Sequence, residues 1–154
     1  MQFHVHDRHS VERGFVVPEA YILISIRDPD KPGVRYRRPS GLRDVLSLAF
    51  HDAEPCRRVK LPTGIQLMQE EDAINIWKFV KQHRGSVGAI VSHCEQGMSR
   101  SPAVALALAD AFGEEDEAER IRLDSQPNQY IYDLLRKAID AGRESGPTRP
   151  ESSH

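Results

Sequence analysis

The stretch from Val87 to Gly113, which reads VGAIVSHCEQGMSRSPAVALALADAFG, decides the fold. Its first part, Val87 to Ser92, is short and apolar without regular polar alternation, as is typical of a parallel strand covered on both faces. A polar turn over 93–100 separates it from a second apolar segment, Ser101 to Phe112. Because Pro102 is harmless in the first turn of a helix, the pattern predicts a strand, a loop and a buried helix in direct succession.

The predicted loop has the features of an anion-binding site. Backbone N–H groups in a turn ahead of a helix N-terminus converge on one point, where the helix dipole also favours negative charge. Gly97 tolerates the positive φ that lets the backbone curl, and Arg100, six positions after Cys94, can hold two phosphate oxygens. The same groups would stabilise a thiolate at Cys94. We therefore expect a phosphate to be bound by the backbone amides of the loop residues Glu95, Gln96, Gly97, Met98, Ser99 and Arg100.

Four other segments indicate strands and helices around this unit. Tyr21 to Ile26 (YILISI) and Val45 to Phe50 (VLSLAF) are compact apolar runs followed by polar residues and proline, as is typical of buried strands. Gln69 to His83 has apolar residues at helical spacing, and a last helix is predicted from about Pro127 to Gly142. Strands interleaved with helices predict an α/β fold with a central, mainly parallel sheet flanked by helices. Its ligands would bind at the carboxyl ends of the strands.

The composition bounds the size and class of the protein. With 154 residues, 39% of them hydrophobic, the chain can form one core, so we expect a single domain over 1–142 and a disordered tail over 143–154. A net charge of −2 gives no reason to expect a nucleic-acid or membrane partner, and the longest apolar run falls short of the ~20 residues that span a bilayer. Two cysteines and no apolar N-terminal segment favour a reducing compartment. We expect a cytoplasmic monomer.

The residues from His93 to Ser101, HCEQGMSRS, resemble the HC-x5-R-[S/T] signature of the protein tyrosine phosphatase superfamily. The short chain is similar to the compact dual-specificity branch, whose order of elements residues 21–141 follow. The resemblance implies a fold of the phosphatase II type and hydrolysis of phosphate monoesters without a metal or organic cofactor. It also implies that Cys94 forms a phosphocysteine intermediate and that Arg100 binds the phosphate.

The same resemblance implies roles for three further residues. The Ser101 hydroxyl would hydrogen-bond the Cys94 sulfur and help it leave when water hydrolyses the intermediate. His93 would be structural, bonding to the backbone of the loop. Asn128, in the pair Pro127-Asn128 at the start of the last helix, would support the loop from behind.

The leaving oxygen needs a proton, which the family takes from an aspartate on a loop after a strand upstream of the cysteine. Asp52 occurs in that context, at the end of LSLAFHD, but its interval of 42 positions (94 − 52) to the cysteine is longer than usual in compact members. An insertion around 56–64 would explain the difference. Asp72 and Glu54 are rivals for this role, although Asp72 lies inside a predicted helix.

Three other functions are compatible with parts of the sequence. His4, His6 and His9 could bind zinc, as in a metal hydrolase, although their segment does not match the H-x-H-x-D-H pattern. The loop could also belong to a phosphate-binding module without turnover, or to a sulfur-transfer enzyme of the rhodanese type. The Ser101 hydroxyl and the upstream Asp52 favour hydrolysis over both.

The substrate and the second cysteine stay open at this point. Glu95, Gln96 and Met98 add no cation to the loop, which argues against highly phosphorylated inositol lipids and favours phosphotyrosine in a protein. Phosphoserine, nucleotides and other small phosphoesters are alternative substrates. Cys56 is either an ordinary thiol or a partner that traps oxidised Cys94 as a disulfide. The Arg-rich segment 27–43 is interpreted as a solvated surface loop.

Overall fold

Four strands form the central sheet: β1 (Gln2–Asp7), β2 (Tyr21–Arg27), β3 (Leu42–Ala49) and β4 (Ala89–Cys94). All pairs are parallel, and the spatial order is β1-β4-β2-β3. The structure, a computed structural model, describes residues 1–36 and 38–144, with only the backbone of Glu144. Because the strands share one direction, their carboxyl ends meet at one edge of the sheet, where ligands of such folds bind.

The helices of the described part of the chain are α1 (Arg8–Arg13), α2 (Glu70–His83), α3 (Arg100–Ala111), α4 (Glu115–Asp124) and α5 (Gln129–Glu144). α2 begins with a capping box, in which the Asp72 carboxylate accepts from the Gln69 backbone N–H at 2.8 Å. α3 is buried along most of its length, as its apolar sequence predicts. Within the described ranges, no helix combines the length and apolar character needed to cross a membrane.

The core lies in two clusters on opposite faces of the sheet. Along β2, Ile22, Ile24 and Ile26 belong to the larger cluster, which includes apolar side chains of α2, α3, α4 and α5. The alternate residues Tyr21 and Leu23 belong to the smaller cluster, which α1 and loop side chains cover. Both faces of the sheet are therefore covered, in keeping with its apolar strands.

The edge strand β1 is absent from the sequence prediction. It pairs with β4 along its whole length, and its last residue, Asp7, lies opposite Cys94. This pairing holds His93 and Cys94 in the sheet, so β4 begins and ends two residues later than the predicted 87–92. The cysteine is thus part of the strand and not of the turn.

Other boundaries differ by a few residues. β3 begins three residues before the predicted 45–50 and ends before Phe50. α5 continues to Glu144, two residues past the predicted end at Gly142 and into the expected tail. Residues 145–154 of that tail, and Arg37 in the basic loop, lie outside the described residues. The prediction also lacks α1 and α4; α4 is mostly charged and buries only Ala118 and Ile121.

Candidate active site

Cys94 ends β4, with only 2% of its surface exposed. Its Sγ atom lies 3.2 Å from the Ser101 hydroxyl and accepts the Gly97 backbone N–H at 3.3 Å. Gly97 has a φ of +69°, a conformation that favours glycine. A backbone N–H and a hydroxyl group thus both lie within hydrogen-bond distance of the one sulfur atom, an arrangement that suits a bound or negatively charged sulfur.

The loop that follows Cys94 is held from two sides. A Cβ atom at Gly97 would lie 3.0 Å from backbone atoms at the end of β1, so a larger residue would displace the loop or the strand. The Arg8 N–H donates to the Glu95 carbonyl at 3.2 Å, and the Asn128 N–H donates to the Ser99 carbonyl at 3.1 Å. Segments distant in sequence therefore set the shape of the loop.

Arg100 opens α3 and is 5% exposed. Its Nη1 atom donates to Asp28 Oδ1 at 2.6 Å and to the Phe50 carbonyl at 2.8 Å. Among the described residues, no protein group bonds to Nε or Nη2. The edge of the guanidinium formed by these two nitrogens is therefore available to two oxygens of a phosphate.

Asp28 directly follows β2 and was not predicted as a site residue. Burial acts to raise the pKa of the Asp28 carboxyl, but the hydrogen bond and charge of Arg100, with smaller contributions from Lys31 and His51, outweigh burial and lower this pKa. Asp28 is thus an ionised partner of Arg100. Its place at the carboxyl end of a strand is the signal that could have indicated it.

Asp52 lies on the loop after β3 and faces the end of the loop that follows Cys94. Its Oδ1 atom accepts from the Ser99 hydroxyl at 2.8 Å and from Asn128 Nδ2 at 2.9 Å. Both donors use Oδ1, and within the described residues no protein group donates to Oδ2. The structure thus brings together three residues that the sequence analysis placed in the site for separate reasons.

The two rivals of Asp52 have other partners. Asp72 caps α2 through the Gln69 backbone N–H. Glu54 Oε1 lies 3.5 Å from the backbone nitrogen of Tyr130, at the start of α5. Neither carboxylate lines the cavity beside Cys94, whereas Asp52 does.

The His93 side chain is buried, and its two ring nitrogens contact Ser25 of β2 and the backbone of Cys94. Its Nε2 is 2.6 Å from Ser25 Oγ, and its Nδ1 is 3.4 Å from the Cys94 carbonyl. Burial lowers the pKa of His93 to about 4, against a smaller opposing effect of the hydrogen bond to the Cys94 carbonyl. A carbonyl can only accept, so the single proton of the neutral ring sits on Nδ1 and Ser25 donates to Nε2. Ser25 was not predicted to contact the loop.

Glu95 adds a carboxylate to a loop that should bind an anion, and two cations compensate it. Arg8 Nη1 lies 3.2 Å from Oε1, and Lys31 Nζ lies 3.7 Å from Oε2. Lys31 also lies 3.6 Å from Asp28 Oδ2. Neither cation was predicted at the site, because both come from segments whose position relative to the loop the sequence does not reveal.

A cavity of about 350 Å³ opens beside Cys94. The residues that line it are Asp28, Lys31, His51, Asp52, Ala53, Ile65, Cys94, Glu95, Gln96, Met98, Ser99 and Arg100. The segment 52–65, which carries the exposed free thiol of Cys56, contributes to one wall. The His51 N–H donates to the Gln66 carbonyl at 2.7 Å, and the Gln66 N–H donates to His51 Nδ1 at 2.9 Å, which fixes both ends of this segment.

The sequence leaves the N-terminal histidines open as zinc ligands. The His6 ring stacks on Phe15, with 4.3 Å between ring centroids. Throughout residues 1–36 and 38–144, no group of three or more His, Cys, Asp or Glu side chains is placed to hold a metal ion.

A scan against protein-family models gives no match, and no curated protein matches the sequence. Solved structures do match. Human DUSP28 superimposes with a TM-score of 0.53 at 16% identity, over 92% of this chain and 94% of that chain. The chain has the dual-specificity phosphatase fold.

The same phosphatase fold occurs in the human tyrosine phosphatase-like serine/threonine/tyrosine-interacting protein, with a TM-score of 0.51 at 18% identity over 79% of this chain and 77% of that chain. It also occurs in PTPMT1 in complex with PI(5)P, with a TM-score of 0.51 at 12% identity over 81% of this chain and 80% of that chain. The predicted phosphatase-like α/β fold is thus confirmed. At such identities the similarity concerns the fold alone.

Proposed function

We propose that the protein is a cysteine-dependent phosphatase that hydrolyses phosphate monoesters through a phosphocysteine intermediate. The observation that carries this proposal is the contact of Cys94 Sγ with both the Gly97 N–H and the Ser101 hydroxyl, 3.3 and 3.2 Å away. Arg100 adds an unused guanidinium edge in the same cavity. A stabilised thiolate beside a phosphate-binding guanidinium is what attack on phosphorus requires.

In the first step, the Cys94 thiolate attacks phosphorus and an S–P bond forms as the P–O bond to the leaving group breaks. Arg100 and the loop amides stabilise the transferring phosphoryl group. Asp52 gives the proton on Oδ2 to the leaving oxygen, while Ser99 and Asn128 hold Oδ1.

In the second step, water attacks the phosphocysteine. Asp52, now a carboxylate, takes a proton from this water, and the S–P bond breaks to release inorganic phosphate. The Ser101 hydroxyl donates to the departing sulfur, which returns to the thiolate. Asp52 recovers in the second step the proton that it gives in the first, so the cycle is complete without a cofactor.

We infer that the substrate is a phosphotyrosine side chain of a protein, acted on by a cytoplasmic monomer. The side chains of loop residues 95–99 include no cation for further phosphates, and the two cations beside the loop, Arg8 and Lys31, pair with Glu95. A substrate with a single phosphate and a neutral ring needs no further cation beyond Arg100. The fold neighbour in complex with PI(5)P makes a phosphoinositide the competing substrate to test.

The proposal is tested by steady-state kinetics on phosphotyrosine and phosphoserine peptides, p-nitrophenyl phosphate and PI(5)P. We expect the phosphotyrosine peptide to have the highest kcat/KM. Cys94→Ser should abolish turnover of every substrate and retain oxyanion binding, and turnover by this variant would refute the mechanism. Cys56→Ser is the matched control: it also removes a thiol, outside the proposed chemistry, and should keep the wild-type rate.

A further inference from the structure

Asp28 has no part in the reaction as written above, yet it makes the shortest contact of Arg100. Its Oδ1 accepts from Nη1 at 2.6 Å, and the Phe50 carbonyl accepts from the same nitrogen at 2.8 Å. The Arg100 side chain is 6% exposed and the Asp28 side chain 24%, so this pair is largely shielded from water.

We propose that Asp28 is a positioning residue, which holds the Arg100 guanidinium so that its Nε and Nη2 edge faces the bound phosphate. The proposal rests on the function proposed above. It assigns to Asp28 an effect on oxyanion affinity that acts through Arg100 alone.

The contacts of Arg100 indicate that Asp28 orients the guanidinium as well as pairing with its charge. Both fixed contacts use Nη1, on one side of the guanidinium, and together they fix the rotation of the planar group about its long side chain. A phosphate bound through the other edge then meets two N–H groups at the right spacing. Lys31, 3.6 Å from Asp28 Oδ2, helps to keep this carboxylate in place.

If Asp28 acted only through its charge, its removal would have the opposite effect on oxyanion affinity. A carboxylate next to the cavity repels an anionic ligand, so its neutralisation would strengthen oxyanion binding if Asp28 acted only as a charge. A positioning role predicts weaker binding, because a guanidinium that is free to rotate loses its two-pronged contact. The sign of the change therefore decides between the two roles.

The experiment measures the Kd of inorganic tungstate by calorimetry. For Asp28→Asn we expect binding about ten-fold weaker, the size expected for one charge-assisted hydrogen bond. Asp30→Asn, the same charge change at an exposed position two residues away, should bind like the wild type. Unchanged or tighter binding by Asp28→Asn would overturn the proposal. Asp28→Glu, which keeps the charge but shifts the carboxylate, is the second variant and should also weaken binding.

Coupling to Arg100 is tested in an Arg100→Lys background. There, Asp28→Asn should change the tungstate Kd less than two-fold, because a lysine has no planar edge to orient. An equal loss in both backgrounds would show that Asp28 acts by another route and would refute the proposal. Tungstate binding needs no turnover, so an inactive wild-type protein would refute the proposed phosphatase activity without deciding the role of Asp28.

Discussion

Ser101 can be tested separately from Cys94, because its hydroxyl is expected to act when sulfur leaves. We predict that Ser101→Ala slows turnover about 100-fold, the usual size for one catalytic hydrogen-bond donor. Formation of the phosphocysteine should be much less affected, so p-nitrophenyl phosphate should give a burst of p-nitrophenol in rapid mixing. Cys94→Ser/Ser101→Ala should give no burst, and a Ser101→Ala protein with slow, burst-free kinetics would contradict the assigned step.

His93 makes a prediction about stability and acidity. The pKa of the buried ring is about 4, against 6.5 for a free histidine. In the interval between these values the unfolded chain binds the proton and the folded protein does not, so acidification favours unfolding. The contribution of the neutral, buried His93 ring to the free energy of unfolding is fully present above pH ~6.5. It should fall by about 2 kcal/mol on going to about pH 5.

The measurement is the free energy of unfolding in urea at neutral pH and at about pH 5. His93→Gln cannot take up this proton, so its stability should fall less steeply with acid than that of the wild type. Parallel curves for the two proteins would show that burial of His93 does not produce the pH dependence. Other titrating groups affect both proteins alike and cancel in the comparison.

At the scale of single residues, the sequence identifies those site residues that share a short motif. Cys94, Gly97 and Arg100 lie within seven positions, and their spacing alone predicts a common site. Asp28 and Ser25 carry no such signal, because their partners lie 72 and 68 positions away. Only the order of strands in the sheet brings them to the loop.

At the scale of elements, Asn128 links the start of α5 to the site. Its Oδ1 accepts from the Ile131 N–H at 3.1 Å, as a helix cap does, while its Nδ2 donates to Asp52 at 2.9 Å. Asn128→Ser should keep the cap and lose the longer reach to Asp52. Asn128→Ala should lose both and cost about 1 kcal/mol of stability in addition.

We therefore predict that both variants hydrolyse substrates with poor leaving groups more slowly than the wild type, by a similar factor. Only Asn128→Ala should melt at a lower temperature. The measurements are kcat for an alkyl and a p-nitrophenyl phosphate, with thermal unfolding by circular dichroism. A fully active Asn128→Ser protein would separate the Asn128 amide from the function of Asp52.

The elements that the sequence analysis missed are those with the weakest apolar signal. β1 alternates Phe3 and Val5 with histidines, a pattern of period two that was available in the sequence but is short. α4 offers two buried residues in ten, too few for a clear amphipathic pattern. The strongly apolar β2, β4 and α3 were predicted, because burial on all sides leaves a continuous signature.

At the scale of the whole molecule, the N-terminal segment should be indispensable. β1 covers one edge of β4, the strand that ends at Cys94, and the Arg8 backbone bonds to Glu95 in the loop that follows. We predict that deletion of 1–13 exposes a strand edge and yields an aggregated or unfolded protein, measured by size exclusion and circular dichroism. Deletion of 145–154, within the predicted tail, should leave the melting temperature unchanged. A soluble, active protein without 1–13 would contradict this prediction.

The overall architecture could be predicted because local patterns constrain it strongly. A parallel strand that ends in a glycine-containing loop and a buried helix leaves few possible folds. Long-range pairing could not be predicted in the same way, because the sequence does not state which strand lies beside β4. That arrangement decides which side chains meet Arg100.

The segment 52–65 starts at Asp52 and returns to Gln66, which is joined to His51 by two hydrogen bonds. A chain whose ends are fastened to each other can change in length between them while its anchor points keep their places. The stretch 54–64 should for this reason tolerate changes in length and sequence. Exchanging residues 54–64, which join the lining residues Ala53 and Ile65, should therefore reshape this side of the cavity while His51 and Gln66 stay where they are.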